Sequence, residues 1–302
     1  MTGDPVKFSL RLANGQQWQL IGTDSSELWL NEFATLLGLS RTDSDSNGSH
    51  RLIFIDGMPH APGPAPRPSA LDHVDVGMID SNWSCRNLGA LTIRTHTDSP
   101  DVICQRTGGK NRDIHIIQMW MALDPVYTRA LESGGLPLHA GLLERDAQAV
   151  LLAGPGGIGK STCCNRVPLS WRCHCDDETL VVTAGGGRFL VHPFPTWSDY
   201  LGKESDKTWD VQRSFPVKGV FFLRQGRTDC VEPIGTGLAA MFMYHSALDV
   251  LGKSTRGTSP GESRMLRTKI FESACGLARE VPAFILHVSL EGKFWEEIER
   301  CI

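Results

Sequence analysis

"AVLLAGPGGIGKSTCCNRVPLSWRCHCDDETLVV", residues 149–182, decides the fold. Its first six residues are a short apolar run of the kind a buried strand needs. They open into Gly154-Pro155-Gly156-Gly157-Ile158-Gly159-Lys160-Ser161, a complete match to G-x-x-x-x-G-K-[ST]. Glycines at these positions let backbone N–H groups curl around an oxyanion with no Cβ in the way. A helix entered through Ser161 and Thr162 would turn its positive end toward the same charge. In such a loop Lys160 reaches the β and γ phosphates of a nucleotide, and the Ser161 hydroxyl ligates Mg²⁺.

The second half of the stretch predicts a strand with Trp171, Cys173 and Cys175 on one face, ending in Asp176 and Asp177. In an α/β sheet ligands gather at the carboxyl ends of strands, so this acid pair is expected near the glycine loop. Two adjacent carboxylates can divide the work: one holds Mg²⁺, the other orients or deprotonates an attacking hydroxyl. Cys173-His174-Cys175 is not read as zinc-binding. Structural zinc pairs are spaced by two to four residues, and alternation turns His174 away from both thiols.

Working outward, the 302 residues suffice for one large or two ordinary domains. The 41% hydrophobic and 21% charged fractions are those of an ordinary globular chain. Net charge is −4 and lies wholly in the front third, where residues 1–108 hold 8 Lys and Arg against 12 Asp and Glu. That excludes a basic nucleic-acid footprint. No run approaches the roughly 20 apolar residues of a membrane span, and the start shows no secretory signal. The nine cysteines are therefore expected as reduced thiols in a cytoplasm.

The front portion reads as β-rich. "VKFSLRLANGQQWQLIG" is two alternating runs joined at Asn14-Gly15, a hairpin signal. "DSSELWLNEFATLLGL" has helical spacing with Asp24 as its cap. "RLIFIDG", "ALTIRTHT" and "DVICQR" predict further strands, and the proline-rich "PHAPGPAPRPSA" a connector. A boundary is expected at "TGGKNRD", giving domains 1–108 and 109–302. The back portion alternates strands and helices, which implies an α/β body. Its helices are "RDIHIIQMWMAL", a second restarting at Asp124-Pro125, "GLAAMFMYHSALDVLG", "ESRMLRTKIFESACGLA" and "GKFWEEIERC", with "AFILHVSL" a strand between the last two. "LGKSTRGTSPGESR" (251–264) repeats G-K-S-T but lacks the first glycine and a preceding strand, so it reads as a loop.

The elements "GGLPLHAGLL", "AVLLAGPGGIGKST" and "WRCHCDDETLVV" resemble the HPr kinase/phosphorylase family, relatives of the phosphoenolpyruvate carboxykinases. The chain is also similar to the kinase-like proteins of the SynChlorMet cassette and to peptide kinases of lasso-peptide clusters, both tied to ribosomally made peptides. The resemblance covers about residues 130–230 and, loosely, the C-terminal helices. It implies an HPr-kinase-like P-loop body behind the smaller β-rich domain, ATP and Mg²⁺ as cofactors, and homo-oligomers. It makes Asp176 the general base and Asp177 the Mg²⁺ carboxylate, and places His139 beside the phosphates. The family's glutamate signature after the Asp-Asp strand has no copy; the chain reads "FLVHPFPTWSDYLGKESDKTWD" there. Phosphorylase activity is therefore not implied.

The function expected is transfer of the γ-phosphoryl group of ATP to a Ser or Thr hydroxyl of a peptide or small protein. A small-molecule kinase and a non-catalytic nucleotide switch remain alternatives, though no Asn-Lys-x-Asp guanine motif occurs. Arg213 and Lys218 are candidates for neutralising phosphate or the acceptor. "HPFPTWSDY" (192–200) reads as a loop held by Phe194 and Trp197 that could cover the acceptor. The acidic front domain is a candidate for binding a peptide leader by strand addition, or else a structural cap.

Overall fold

The computed structural model describes residues 5–22, 25–43, 49–56, 83–107, 109, 111–255 and 258–302. Asp24 and the proline-rich connector lie outside the described residues. Two sheets dominate. The first takes its strands from the front of the chain: β1 (Val6–Arg11), β2 (Gln17–Gly22), β3 (Ser40–Arg41), β4 (His50–Asp56), β5 (Trp83–Asn87), β6 (Leu91–His96) and β7 (Val102–Arg106). Their order is β3-β1-β2-β4-β7-β6-β5. The Asn14-Gly15 hairpin forms, with Leu10 opposite Trp18, but through a longer loop in which Gly15 takes a positive φ of 87°. Helix α1 (Glu27–Leu36) buries Trp29, Leu30 and Phe33 against this sheet, where Trp29 and Phe33 meet Phe54. Its cap position is Ser26, whose hydroxyl donates to Phe54 O at 2.9 Å.

Helices α2 (Arg112–Ala122) and α3 (Asp124–Glu132) lead into the second sheet, and the expected boundary after residue 108 falls in the link before α2. Pro125 sits in the first turn of α3, where a missing N–H costs nothing, and the helix ends at Gly134, whose φ is 79°. The second sheet comprises β8 (Leu136–Arg145), β9 (Gln148–Ala153), β10 (Arg172–Cys175), β11 (Glu178–Ala184), β12 (Arg188–Phe194), β13 (Phe215–Gln225), β14 (Cys230–Pro233) and β15 (Ala283–Val288). It is mixed rather than uniformly parallel: β9 and β15 run parallel to β13, while β8 is antiparallel to β9, β10 and β11. The pairings β8-β11-β12-β13-β9-β8 close a ring.

Helix α4 (Lys160–Arg166) covers one face of this sheet, where Cys163, Cys164 and Trp171 pack with Leu152, Phe221 and Phe294 of the terminal helix α7 (Phe294–Glu299). The other face carries α5 (Thr236–Leu251) and α6 (Pro260–Glu280). The segment expected as a loop at 251–264 is a 3₁₀ turn, Gly252–Thr255, followed by the start of α6. Ser259 and Glu262 form a reciprocal capping box there, so the G-K-S-T repeat opens no phosphate loop.

One apolar cluster runs through both sheets, joining Phe8, Trp18 and Phe33 to Tyr127, Leu151 and Met243. Polar contacts secure the seam. His192 Nε2 accepts from Ala13 N at 3.0 Å, and Trp209 N donates to Leu36 O at 2.9 Å. Arg86 on β5 pairs with the buried Asp124, which also accepts from Ser254 Oγ.

Candidate active site

The site grows from the exit of β9. Gly154, Gly157 and Gly159 adopt φ values of 153°, 76° and 115°, all in the positive region a side chain resists, which is why the loop is written in glycine. Lys160, buried at the start of α4, folds back so that Nζ donates to Gly154 O at 2.7 Å and Pro155 O at 3.3 Å. Burial lowers its pKa, opposed by the charges of Asp177, Asp249 and Asp176. The cation is thus held inside the curl it would share with a phosphate.

Because β10 is antiparallel to β8 and β8 to β9, the Asp176-Asp177 turn lies at the same end of the sheet as the glycine loop. A bulge between Cys173 and Cys175 adjusts the approach. His174 turns toward Glu144, 3.5 Å away, and its ring lies tilted against Phe215. Asp176 accepts a short hydrogen bond from Thr196 Oγ1. Asp177 Oδ1 lies 2.9 Å from His139 Nε2, and the other ring nitrogen of His139 lies 3.5 Å from Asp249 Oδ2. The hydrogen bond to Asp177 raises the His139 pKa, against burial and the charge of Lys160.

These groups share one cavity of about 280 Å³, lined by Gly156, Gly157, Gly159, Lys160, Ser161, Thr162, His139, Asp176, Asp177, Thr196 and Ser198. Gly154, Pro155 and Ile158 complete the loop, and Gly154 and Pro155 border a second cavity of about 200 Å³. Phe222, Leu223, Phe242 and Ile285 make that neighbour largely apolar, with Arg224, His245 and Asp249 as its polar lining. Ser161 and Asp177 line the first cavity together, an oxygen-donor pair suited to a hard divalent ion.

Arg213 and Lys218 line neither cavity. Arg213 stacks over Phe215, and Lys218 is exposed at the bulge where β13 shifts register against β9. The cation that β13 brings to the loop is Arg224, at its carboxyl end. Its signal was a charged residue closing the apolar run "GVFFLR", the place where parallel strands present ligands. Thr196, Ser198 and Asp249 were also missed. The first two belong to "HPFPTWSDY", where buried Phe194 and Trp197 anchor the segment and a 3₁₀ turn, Trp197–Asp199, presents Ser198.

The profile of the family described as "SynChlorMet cassette protein ScmC" matches residues 102–302, two thirds of the chain. The chain belongs to the ScmC family. The match begins in β7 and includes the candidate residues from His139 to Asp249. Among solved structures, the chain is similar to the HPr(Ser) kinase/phosphatase from Coxiella burnetii, with 18% identity over 32% of this chain and 72% of that one, at a TM-score of 0.22. No curated protein matches the chain. Among its described residues no helix is long and apolar enough to cross a membrane.

Proposed function

We propose that the chain is an ATP- and Mg²⁺-dependent kinase that phosphorylates a Ser or Thr hydroxyl of a peptide or small protein. The observation that carries this reading is the single cavity shared by the glycine loop and the Asp176-Asp177 turn. Loop N–H groups and Lys160 grip the β and γ phosphates, Lys160 exchanging the carbonyls of Gly154 and Pro155 for phosphate oxygens. Ser161 and Asp177 would hold Mg²⁺, which supplies charge neutralisation on the phosphoryl oxygens. Asp176, oriented by Thr196, accepts the proton of the incoming hydroxyl as its oxygen bonds to the γ phosphorus. The bond from that phosphorus to the bridging oxygen breaks, and ADP leaves. A leader segment of the acceptor would add to the first sheet at β5, one of the two end strands of its order.

Labelled γ-phosphate and candidate precursor peptides test the assignment. Asp176→Asn is expected to transfer label about 10²–10⁴-fold more slowly than the wild type, while still binding nucleotide. Equal transfer by the two proteins removes Asp176 as base. Nucleotide binding by the wild type with no transfer to any hydroxyl favours a switch instead.

A further inference from the structure

The outer edge of the second sheet carries a separate group of ligating side chains that plays no part in the phosphate site. β14 is the end strand and pairs antiparallel with β15, so that Cys230 stands opposite His287. Glu232, two residues along, falls on the same face as Cys230 because side chains alternate. One thiol, one carboxylate oxygen and one imidazole nitrogen all lie within 4.8 Å of one another. A second observation points the same way. His287 Nε2 is enclosed and has no hydrogen-bond partner among the described residues, and Glu232 Oε1 stands 3.5 Å from it. A buried ring nitrogen left without a partner is costly, and native structures rarely leave one so.

We propose that Cys230, Glu232 and His287 bind Zn²⁺. The donor set selects the ion. A thiolate is too soft a ligand for Mg²⁺ or Ca²⁺, whereas sulfur, nitrogen and oxygen together suit zinc. A thiolate and a carboxylate also balance a divalent charge, with neutral imidazole as third ligand. Zinc bonds of about 2.0–2.3 Å require the donors to close to about 3.5 Å. Cys230 and Glu232 are exposed and free to rotate that far, while the paired strands hold their backbones. The fourth position faces outward and takes water. Bound there, the ion clips the end strand to β15. The strand beyond, β13, places Arg224 in register with His287, so the clip also steadies the side of the sheet that borders the loop.

Titration of the reduced, full-length chain with Co²⁺ tests the site through its thiolate-to-metal absorption band, with Zn²⁺ as competitor. The wild type is expected to take up one equivalent and show the band. Cys230→Ser is expected to lose it, and His287→Gln and Glu232→Gln to bind Zn²⁺ roughly tenfold or more weakly. Cys85→Ser changes an exposed thiol of the other sheet and is expected to behave as wild type. A wild type without the band, a band that survives in Cys230→Ser, or unchanged Zn²⁺ affinity in His287→Gln would each overturn the proposal.

Discussion

In the proposed function, the phosphate grip turns on Lys160. Its ammonium is already desolvated and already bent into the loop, so a phosphate meets a preformed cation rather than a solvated one. Lys160→Met is expected to weaken ADP binding about 10–100-fold, the equivalent of 1.5–3 kcal/mol for hydrogen bonds to a charged group, as read by fluorescent-nucleotide displacement. His139 carries a different signature. Its raised pKa means that the folded chain keeps the imidazolium longer than the unfolded chain does. The stabilisation is fully present below the ordinary value of 6.5 and is lost as pH rises through the higher folded value. Denaturant midpoints of wild type and His139→Gln should therefore differ most below pH 6.5 and converge above the folded pKa. A gap that widens with pH would contradict the His139–Asp177 pairing.

At the scale of the element, the Asp176-Asp177 turn is held from below and behind. Gly141 on β8 lies beneath it: a Cβ there would stand 2.9 Å from Cys164 Sγ and 3.4 Å from Asp176 Cα. Gly141→Ala should push α4 and the acid turn apart, costing about 1–3 kcal/mol and lowering transfer more than it lowers nucleotide binding. Thermal melts and paired binding and transfer assays separate the two effects. Behind the turn, the buried Glu178 accepts from Trp120 Nε1 at 2.7 Å and Tyr127 Oη at 2.9 Å, so α2 and α3 fix where β11 begins. Glu178→Ala removes the acceptor for both donors and should cost about 1–3 kcal/mol for each, measured by urea unfolding. These supports show why only part of the site was legible in the sequence. The loop and the acid pair are local chemistry, each written in a few consecutive residues. Asp249 and Arg224 reach the loop only because α5 and β13 pack beside it, and no spacing in one strand or helix reports that.

At the scale of the whole molecule, the strands, the glycine loop and the α/β character of the body follow from alternation and glycine, whereas the joint between the sheets does not. The expected domains 1–108 and 109–302 rested on the loop-like "TGGKNRD" and the change of pattern after it, which say nothing of the buried side chains from both sheets that form one cluster. The ring of His192 is a marker of that joint. It is fully buried, with one nitrogen accepting from Ala13 N and the other bonded to Val211 O at 2.9 Å, which fixes the neutral form. Burial depresses its pKa from 6.5 to about 4. Unfolded chains take up the proton first, so stability falls as pH drops from 6.5 toward 4, by roughly 3 kcal/mol. Unfolding free energies measured across that window should fall in the wild type and stay flatter in His192→Asn. Identical slopes would remove His192 as the acid-sensitive point of the seam.

The central claim is that the glycine loop and the acid pair serve one nucleotide. ADP affinity measured with and without Mg²⁺ in wild type and Asp177→Asn tests it without needing an acceptor. The account predicts tighter binding with Mg²⁺ in the wild type, and in Asp177→Asn an unchanged metal-free affinity with the Mg²⁺ gain erased. A Mg²⁺ gain that persists intact in Asp177→Asn, or a wild type that does not bind ADP, would contradict it.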